Sequence, residues 1–513
     1  MWGLMKRGFM LHPDKECIIC GDQRVTYRMF EKRVNKLVNL LYGLGLKKGD
    51  RVSVLAENSM TAVEAMIALE KSGLVWAPLN FRHHPNEHAY HLNDAGSRAL
   101  IMQRHFAEGI ETVRDQLETV EHFIVDGEGY PGMERYEDLM QKASDKPTEV
   151  DIDDDDPVAL MYTSGTTGKA KGVLHTHKSF SMLAVFTALE LGIQQGDKVI
   201  YVAPINHGAG ILLPPHLMMG TPNILISHLD VDYVLKVIQE EKVTTMWLAP
   251  TIIYFLLAYP KREEFDLSSL KFLPYSSAPI AVEKLKEALE VFGPIFAQAY
   301  GLVECPVITW LPREEHVLGG DEKQTRRLGS AGREVVFTKV RVVDSEGNDL
   351  PPGEIGEIIV KSPLVMKEYW RNPEATAQTL RDGWLYTGDM GYLDEDGYLF
   401  IADRKKDMII TGGYNVYPKE VEDVIFKHPA VMEAAVIGVP DETWGESVKA
   451  FVVLKPGAQA TEEEIISFCK ENLASYKKPK SVEFIDALPK NLAGKVLKTE
   501  LRKPYWEGKE RKV

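Results

Sequence analysis

Apolar residues recur at helical spacing through RVTYRMFEKRVNKLVNLLYGLGL, where Val34, Leu37, Val38 and Leu41 share one face and Gly43 and Gly45 mark the end. RVSVLAEN then has the short apolar run of a buried strand, TAVEAMIALEKSG returns to the helical period, and LVWAPLN is a second strand. This alternation predicts a largely parallel sheet with helices on its faces. Further strands are expected in PVALMY, KVIYVAP, VTTMWLAPT and KFLPYSSAP. The longest apolar run, MWLAPTIIYFLLAY, is too short for a membrane span and is broken by Pro250, so it predicts a buried helix.

Beyond residue 405 the pattern changes to a short α+β unit. IITGGYNVYPKEVEDVIFKH reads as strand, glycine turn and a helix opening at Pro418, a residue suited to the first helical position. AAVIGVP and KAFVVL are strands, and TEEEIISFCKENL is a helix with Thr461 as N-cap and Glu464 completing a capping box. The expectation is an α/β protein with two domains. Residues 1–405 form a large N-terminal domain of mixed or parallel sheets flanked by helices, and residues 406–513 a small α+β domain.

Composition narrows the function classes. At 513 residues the chain exceeds what one core can organise. A net charge of −15 excludes a general nucleic-acid binder, although residues 470–513 carry twelve Lys/Arg against six Asp/Glu. Four cysteines imply no disulfide framework and fit a reducing compartment. Cys17 and Cys20 have no second pair to complete a zinc site, and on a strand they point to opposite faces. The N-terminal MWGLMKRGFM has charges within its apolar run and lacks a signal-peptide plan, so the cytoplasm is the expected location. Contact with a membrane surface to collect a lipid substrate, and a homodimer, stay open. The acid run DIDDDDP at 151–157 reads as a solvated connector, and His83 and His84, in a polar turn before Pro85, as surface residues.

The stretch with the most chemistry is YTSGTTGKAKGV, residues 162–173. Thr163, Ser164, Thr166 and Thr167 surround Gly165 and Gly168, and Lys169 and Lys171 follow. Bare backbone amides can close around an anion, hydroxyls can donate to phosphate oxygens, and lysine supplies a point charge. The spacing does not fit a Walker loop. Bounded by apolar strands, it reads as a polyphosphate-binding loop at a strand end.

This loop resembles the signature of the adenylate-forming enzymes: acyl-CoA synthetases, luciferases and nonribosomal-peptide adenylation domains. The resemblance runs along nearly the whole chain, through PINHGAG, QAYGLVE, LGSAGREVVF, DGWLYTGDMG, DRKKD, GGYNVYPKEVE and PKNLAGKVLK. It implies that ATP or AMP is held by the loop residues Thr163 to Gly168, by Lys171, and by the adenine-side segments Ser277-Ala278-Pro279 and Ala299-Tyr300-Gly301. Asp389 would take the ribose hydroxyls and Arg404 would also contact the nucleotide. Glu304, with Thr166, would hold Mg2+. Lys495, Thr166, Glu304 and His207 are the implied catalytic residues, Lys495 bridging carboxylate and α-phosphate. His207, Gly210, Trp247 and Gly332 would line the acyl pocket. The small domain would be mobile about a hinge at Lys406 and bring Gly412 and Gly413 to a coenzyme A channel. Two departures stand out: Val303 replaces the usual threonine, and Glu334-Val335-Val336-Phe337 replaces a proline-glycine turn.

The expected reaction is two-step. A carboxylate and ATP give acyl-AMP and pyrophosphate, and acyl-AMP with CoA then gives acyl-CoA and AMP. Because VAPINHGAGILL and MWLAPTIIYF are apolar and lack a cation for a second carboxylate, a medium- or long-chain fatty acid is the expected substrate. An aromatic acid fits almost as well. Loading of a carrier protein, a luciferase-like oxygenase and a non-catalytic binding protein are the competing readings; retention of Lys171, Glu304, Asp389, Arg404 and Lys495 opposes the last.

Overall fold

The computed structural model describes residues 1–163, 170–206, 208–278, 280–490 and 495–507. Helix α1 (Trp2–Leu11) puts Met5 and Phe9 into the main core. Helix α2 (Tyr27–Gly43) starts where the Thr26 hydroxyl accepts from the Met29 amide. Helix α3 (Met60–Ser72) is capped by Ser59 and stopped by Gly73 at φ 68°, a left-handed turn that suits glycine. Helix α4 (Pro85–Ala95) opens with a capping box between His84 and Glu87 and ends at Gly96, φ 62°.

The strands between these helices, Arg51–Leu55, Val75–Pro78 and Ser97–Gln103, pair in parallel as the alternation predicts. They belong to an eight-stranded sheet, in which Pro157–Tyr162 joins Val75–Pro78 in parallel and Gly172–Thr176 runs antiparallel beside it. The two stems of the glycine loop are therefore neighbouring strand ends, with the Thr163 amide donating to the Lys171 carbonyl at 3.0 Å. Among the described residues the N-terminal part holds three more sheets, one of them the four strands Leu273–Tyr275, Phe296–Leu302, Cys305–Leu311 and Arg333–Glu334. A second apolar cluster joins Ile200, Leu248, Leu273 and Leu285. The protein is thus α/β, with a large N-terminal sheet domain and a smaller C-terminal one. The smaller one has its own sheet, centred on the antiparallel pair Val431–Asp441 and Gly445–Leu454, and its own cluster of Ile409, Val436, Ala450 and Ile465. The Thr461–Glu464 capping box is present there.

Two expectations are corrected. MWLAPTIIYFLLAY is not one buried helix: the helix is Pro250–Ala258 with Pro250 in its first turn, and Phe255 is exposed, while Thr245–Met246 is a short strand as VTTMWLAPT suggests. The acid run is a largely exposed connector, anchored at its end where Asp156 pairs with Lys48 at 2.6 Å and its carbonyl accepts the His177 amide. His83 is half-buried rather than a surface residue; its ring lies 5.3 Å from that of His91. Cys17, Cys305 and Cys469 are buried and Cys20 is half-buried. Among the described residues no helix is long and apolar enough to cross a membrane.

Close helix contact explains one glycine. A Cβ on Gly8 would fall 1.8 Å from the Leu217 carbonyl oxygen. Gly8→Ala should therefore push α1 off its seat and cost about 1–3 kcal/mol, as overpacking does. The check is the urea midpoint, expected to fall with an unchanged slope.

Candidate active site

A cavity of about 770 Å³ lies where the glycine-loop stems, residues 301–304, residues 385–388 and residues of the C-terminal part meet. Its polar lining is assembled from several elements. Asp389 sits on the strand Trp384–Leu393 just after Gly388, whose φ of 70° falls at a bulge where the pairing with Gly356–Lys361 shifts register. Asp389 is almost fully buried. Its carboxylate accepts from the Tyr300 hydroxyl at 2.8 Å and from Arg404 Nε at 3.0 Å, so both its oxygens are engaged across three strands. Gly301 follows Tyr300 because a Cβ there would come within 2.1 Å of the Pro306 carbonyl oxygen.

Glu304 accepts from the Tyr369 hydroxyl at 2.6 Å, and the Lys171 ammonium lies 4.8 Å from the centre of the same Tyr369 ring. One tyrosine thus sets an anion and a cation side by side. Val303, in the threonine position, uses its carbonyl to accept from His175 Nε2 at 2.7 Å. From the C-terminal part come Lys406 and Lys495. Burial, followed for Lys495 by the nearby Arg404 charge, pushes both ammonium groups down to about 8.

The apolar lining includes Met1, Met66, Trp76, Phe180, Leu183 and Trp247. Trp247 is held by its indole N–H, which donates to Ser276 Oγ at 2.9 Å, and packs 6.4 Å from Trp310. Gly210 is required beside it, since a Cβ would meet the Ile205 carbonyl oxygen at 2.1 Å.

Of the residues expected from sequence, Thr163, Lys171, Ser277, Gly301 and Glu304 line the cavity. So do Arg404, Lys406, Lys495, Gly210 and Trp247. Tyr300 and Asp389 stand behind Arg404, Ala278 follows Ser277 of the lining, and Ala299, two residues before Gly301, is not in it. Ser277 holds φ 77°, an uncommon conformation for a residue with a side chain. Gly332 is not at the cavity: it packs on the Trp310 backbone, where its φ of 82° and a Cβ contact of 2.2 Å demand glycine. Gly412 and Gly413 are also away from it, Gly412 donating to the Trp444 carbonyl at 2.9 Å. Ser164, Gly165, Thr166, Thr167, Gly168, His207 and Pro279 lie outside the described residues. Sequence reasoning missed Tyr369 and His83. EYW offers no spacing that marks its tyrosine, and the histidines are joined only by the fold.

Two family models match the chain. Residues 7–370 fit the AMP-binding enzyme model and residues 420–495 fit the AMP-binding enzyme C-terminal domain. The chain belongs to the AMP-binding, adenylate-forming acyl-CoA ligase family. The ligase is 38% identical over 498 residues to a feruloyl-CoA synthase of an Amycolatopsis species, covering 96% of this chain and 97% of the relative. It is 35% identical to the medium/long-chain-fatty-acid–CoA ligase FadD8 of Mycobacterium tuberculosis, covering 100% and 90%. Among solved structures, an anthranilate CoA ligase in complex with anthranoyl-AMP superposes with a TM-score of 0.90 at 31% identity, over 98% of this chain and 97% of that one.

Removing the Arg404 charge leaves buried Asp389 with Tyr300 alone. Arg404→Met should destabilise the ligase by about 2 kcal/mol, below the usual cost of breaking a buried pair because Arg404 is about one-third exposed. Chemical denaturation reads this directly, and Arg404→Lys should recover only part of the loss.

Proposed function

We propose that the protein is an AMP-forming acyl-CoA synthetase for an apolar monocarboxylic acid, with a medium- or long-chain fatty acid as the substrate. The observation that carries this reading is the mixed lining of one cavity, in which the cations Lys171, Arg381, Arg404, Lys405, Lys406 and Lys495 meet a large apolar set that includes Met66, Trp76, Phe180, Leu183 and Trp247. The acid's carboxylate oxygen attacks the α-phosphorus of ATP, the bond to the β-phosphate bridging oxygen breaks, and pyrophosphate leaves. The CoA sulfur then attacks the acyl carbonyl and AMP departs. Cations held in place before the anions arrive stabilise the charge that builds up in the first step.

In this reading Lys495 bridges the carboxylate and α-phosphate, Asp389 takes the ribose hydroxyls, and Tyr300 flanks the adenine. Among the described residues no three His, Cys, Asp or Glu side chains form a metal cage. A magnesium ion would therefore rest on Glu304 and the ATP phosphates, which suits a hard cation that prefers oxygen ligands, and would neutralise phosphate charge. Residues 1–405 and 406–513 are the two moving parts. A turn about Lys406 would withdraw Lys495 and carry Gly412 and Gly413 to the thiol's path. An aromatic acid is the second reading, favoured by Trp76, Phe180 and Trp247 in the apolar lining and by the feruloyl-CoA synthase relative.

The test is mass spectrometry of products from ATP, magnesium and a panel of fatty and aromatic acids, with and without CoA. Acyl-CoA from one acid class supports the reading; acyl-AMP that never yields acyl-CoA points to a carrier protein or an oxygenase. Lys495→Ala should slow adenylation by roughly 10²–10³-fold while sparing thioester formation from supplied acyl-AMP.

A pH profile gives a separate check. With its ammonium held near 8, Lys495 loses its charge as pH rises through that value, so adenylation per free enzyme should decline above about pH 8. Lys495→Arg should carry that limb to higher pH.

A further inference from the structure

We propose that helix α4 is the frame that sets Thr163 and Lys171 at the cavity, with Tyr90 and Asp94 as positioning residues for adenylation. The inference rests on the ATP-dependent reading above. Tyr90 and Asp94 are four residues apart and so share a face of α4. The Tyr90 hydroxyl donates to the Ala170 carbonyl at 2.9 Å, directly before Lys171. The Asp94 carboxylate accepts from the Tyr162 hydroxyl at 2.6 Å, directly before Thr163. One helix face therefore grips both stems.

A third tie closes the frame. The Trp370 indole N–H donates to the Asp94 carbonyl at 3.0 Å, while the Trp370 amide donates to the Gly172 carbonyl at 2.7 Å. Next to Trp370 stands Tyr369, which already touches Glu304 and Lys171. His91 fills the remaining space, its ring 4.5 Å from that of Tyr162. Burial, with His83 and His88 adding to it, pushes His91 down to about 3, so it sits there as a neutral plate. The helix is itself firmly anchored, with Pro85 and the His84–Glu87 box at one end and Gly96 at the other.

The ends of the stems away from the loop are tied to the helix His177–Leu191, where His175 meets Ser179 at 3.3 Å, so the ties from α4 are the ones at the loop end. The strand pairing alone fixes register; the side-chain ties fix where Thr163 and Lys171 stand relative to Glu304. Their loss should act on ATP, not on the acyl or thiol partner.

Tyr90→Phe and Tyr162→Phe each delete one hydroxyl and keep the ring. Two readouts are taken on the full chain. The first is the separate rate of adenylation and of thioester formation from supplied acyl-AMP. The second is the melting temperature with and without ATP, since a ligand that binds only the native state raises it. Each variant should raise the KM for ATP or lower the adenylation rate about tenfold and shrink the ATP-induced rise in Tm. Thioester formation should stay within about twofold, and the ligand-free Tm within a few degrees. Parallel loss of both half-reactions with a lower ligand-free Tm would assign Tyr90 and Asp94 a structural role and overturn the inference. Unchanged ATP parameters would overturn it as well. If the unmodified protein adenylates no acid and gains no stability from ATP, the ATP-dependent reading fails first, and the inference with it.

Discussion

Like charges repel, and this protein must hold several together before any ligand neutralises them. Lys171, Arg404, Lys406 and Lys495 share one cavity, and the ammonium groups of Lys406 and Lys495 are depressed first by burial and further by the Arg404 charge. The fold gives individual cations a local counterweight. Asp389 answers Arg404, and the Tyr369 ring face answers Lys171 while its hydroxyl orients Glu304. Much of the architecture serves this arrangement, from the antiparallel pair that carries the loop stems to the strands that meet at Asp389.

The local grammar of the chain was readily legible. Periodicity located α2 and α3, and the Thr461–Glu464 capping box placed a helix start because that signal is chemical and short-range. TGD, expected as a tight turn, is instead a bulge within one strand, where Gly388 takes a left-handed conformation just before Asp389. Motif order then assembled Glu304, Asp389, Arg404 and Lys495, and the fold does place these around one cavity or directly behind its wall.

What escaped was everything set by contact between distant segments. The His83–His91–Tyr162 stack joins α4 to a strand some seventy residues later, and nothing in a polar turn before a proline announces it. Tyr369 is similar: it lies on a two-residue strand pairing with Val173, and its importance comes from what surrounds it. Gly332 shows the opposite error. The glycine itself is present in the segment, yet it answers to backbone crowding at Trp310 instead of to the cavity. The apolar run at Pro250 misled because mean hydropathy is blind to where a proline can begin a helix.

The cysteines carry a consequence for an enzyme whose second substrate is a thiol. Burial raises the Cys17, Cys20, Cys305 and Cys469 thiols above their ordinary range, and three of the four are sealed from solvent. Thiolate is the reactive form, so these sulfurs are poor partners for exchange. Coenzyme A disulfide, which accumulates when the cofactor pool oxidises, therefore finds little to attach to, and the protein can work in a concentrated thiol pool without becoming part of it.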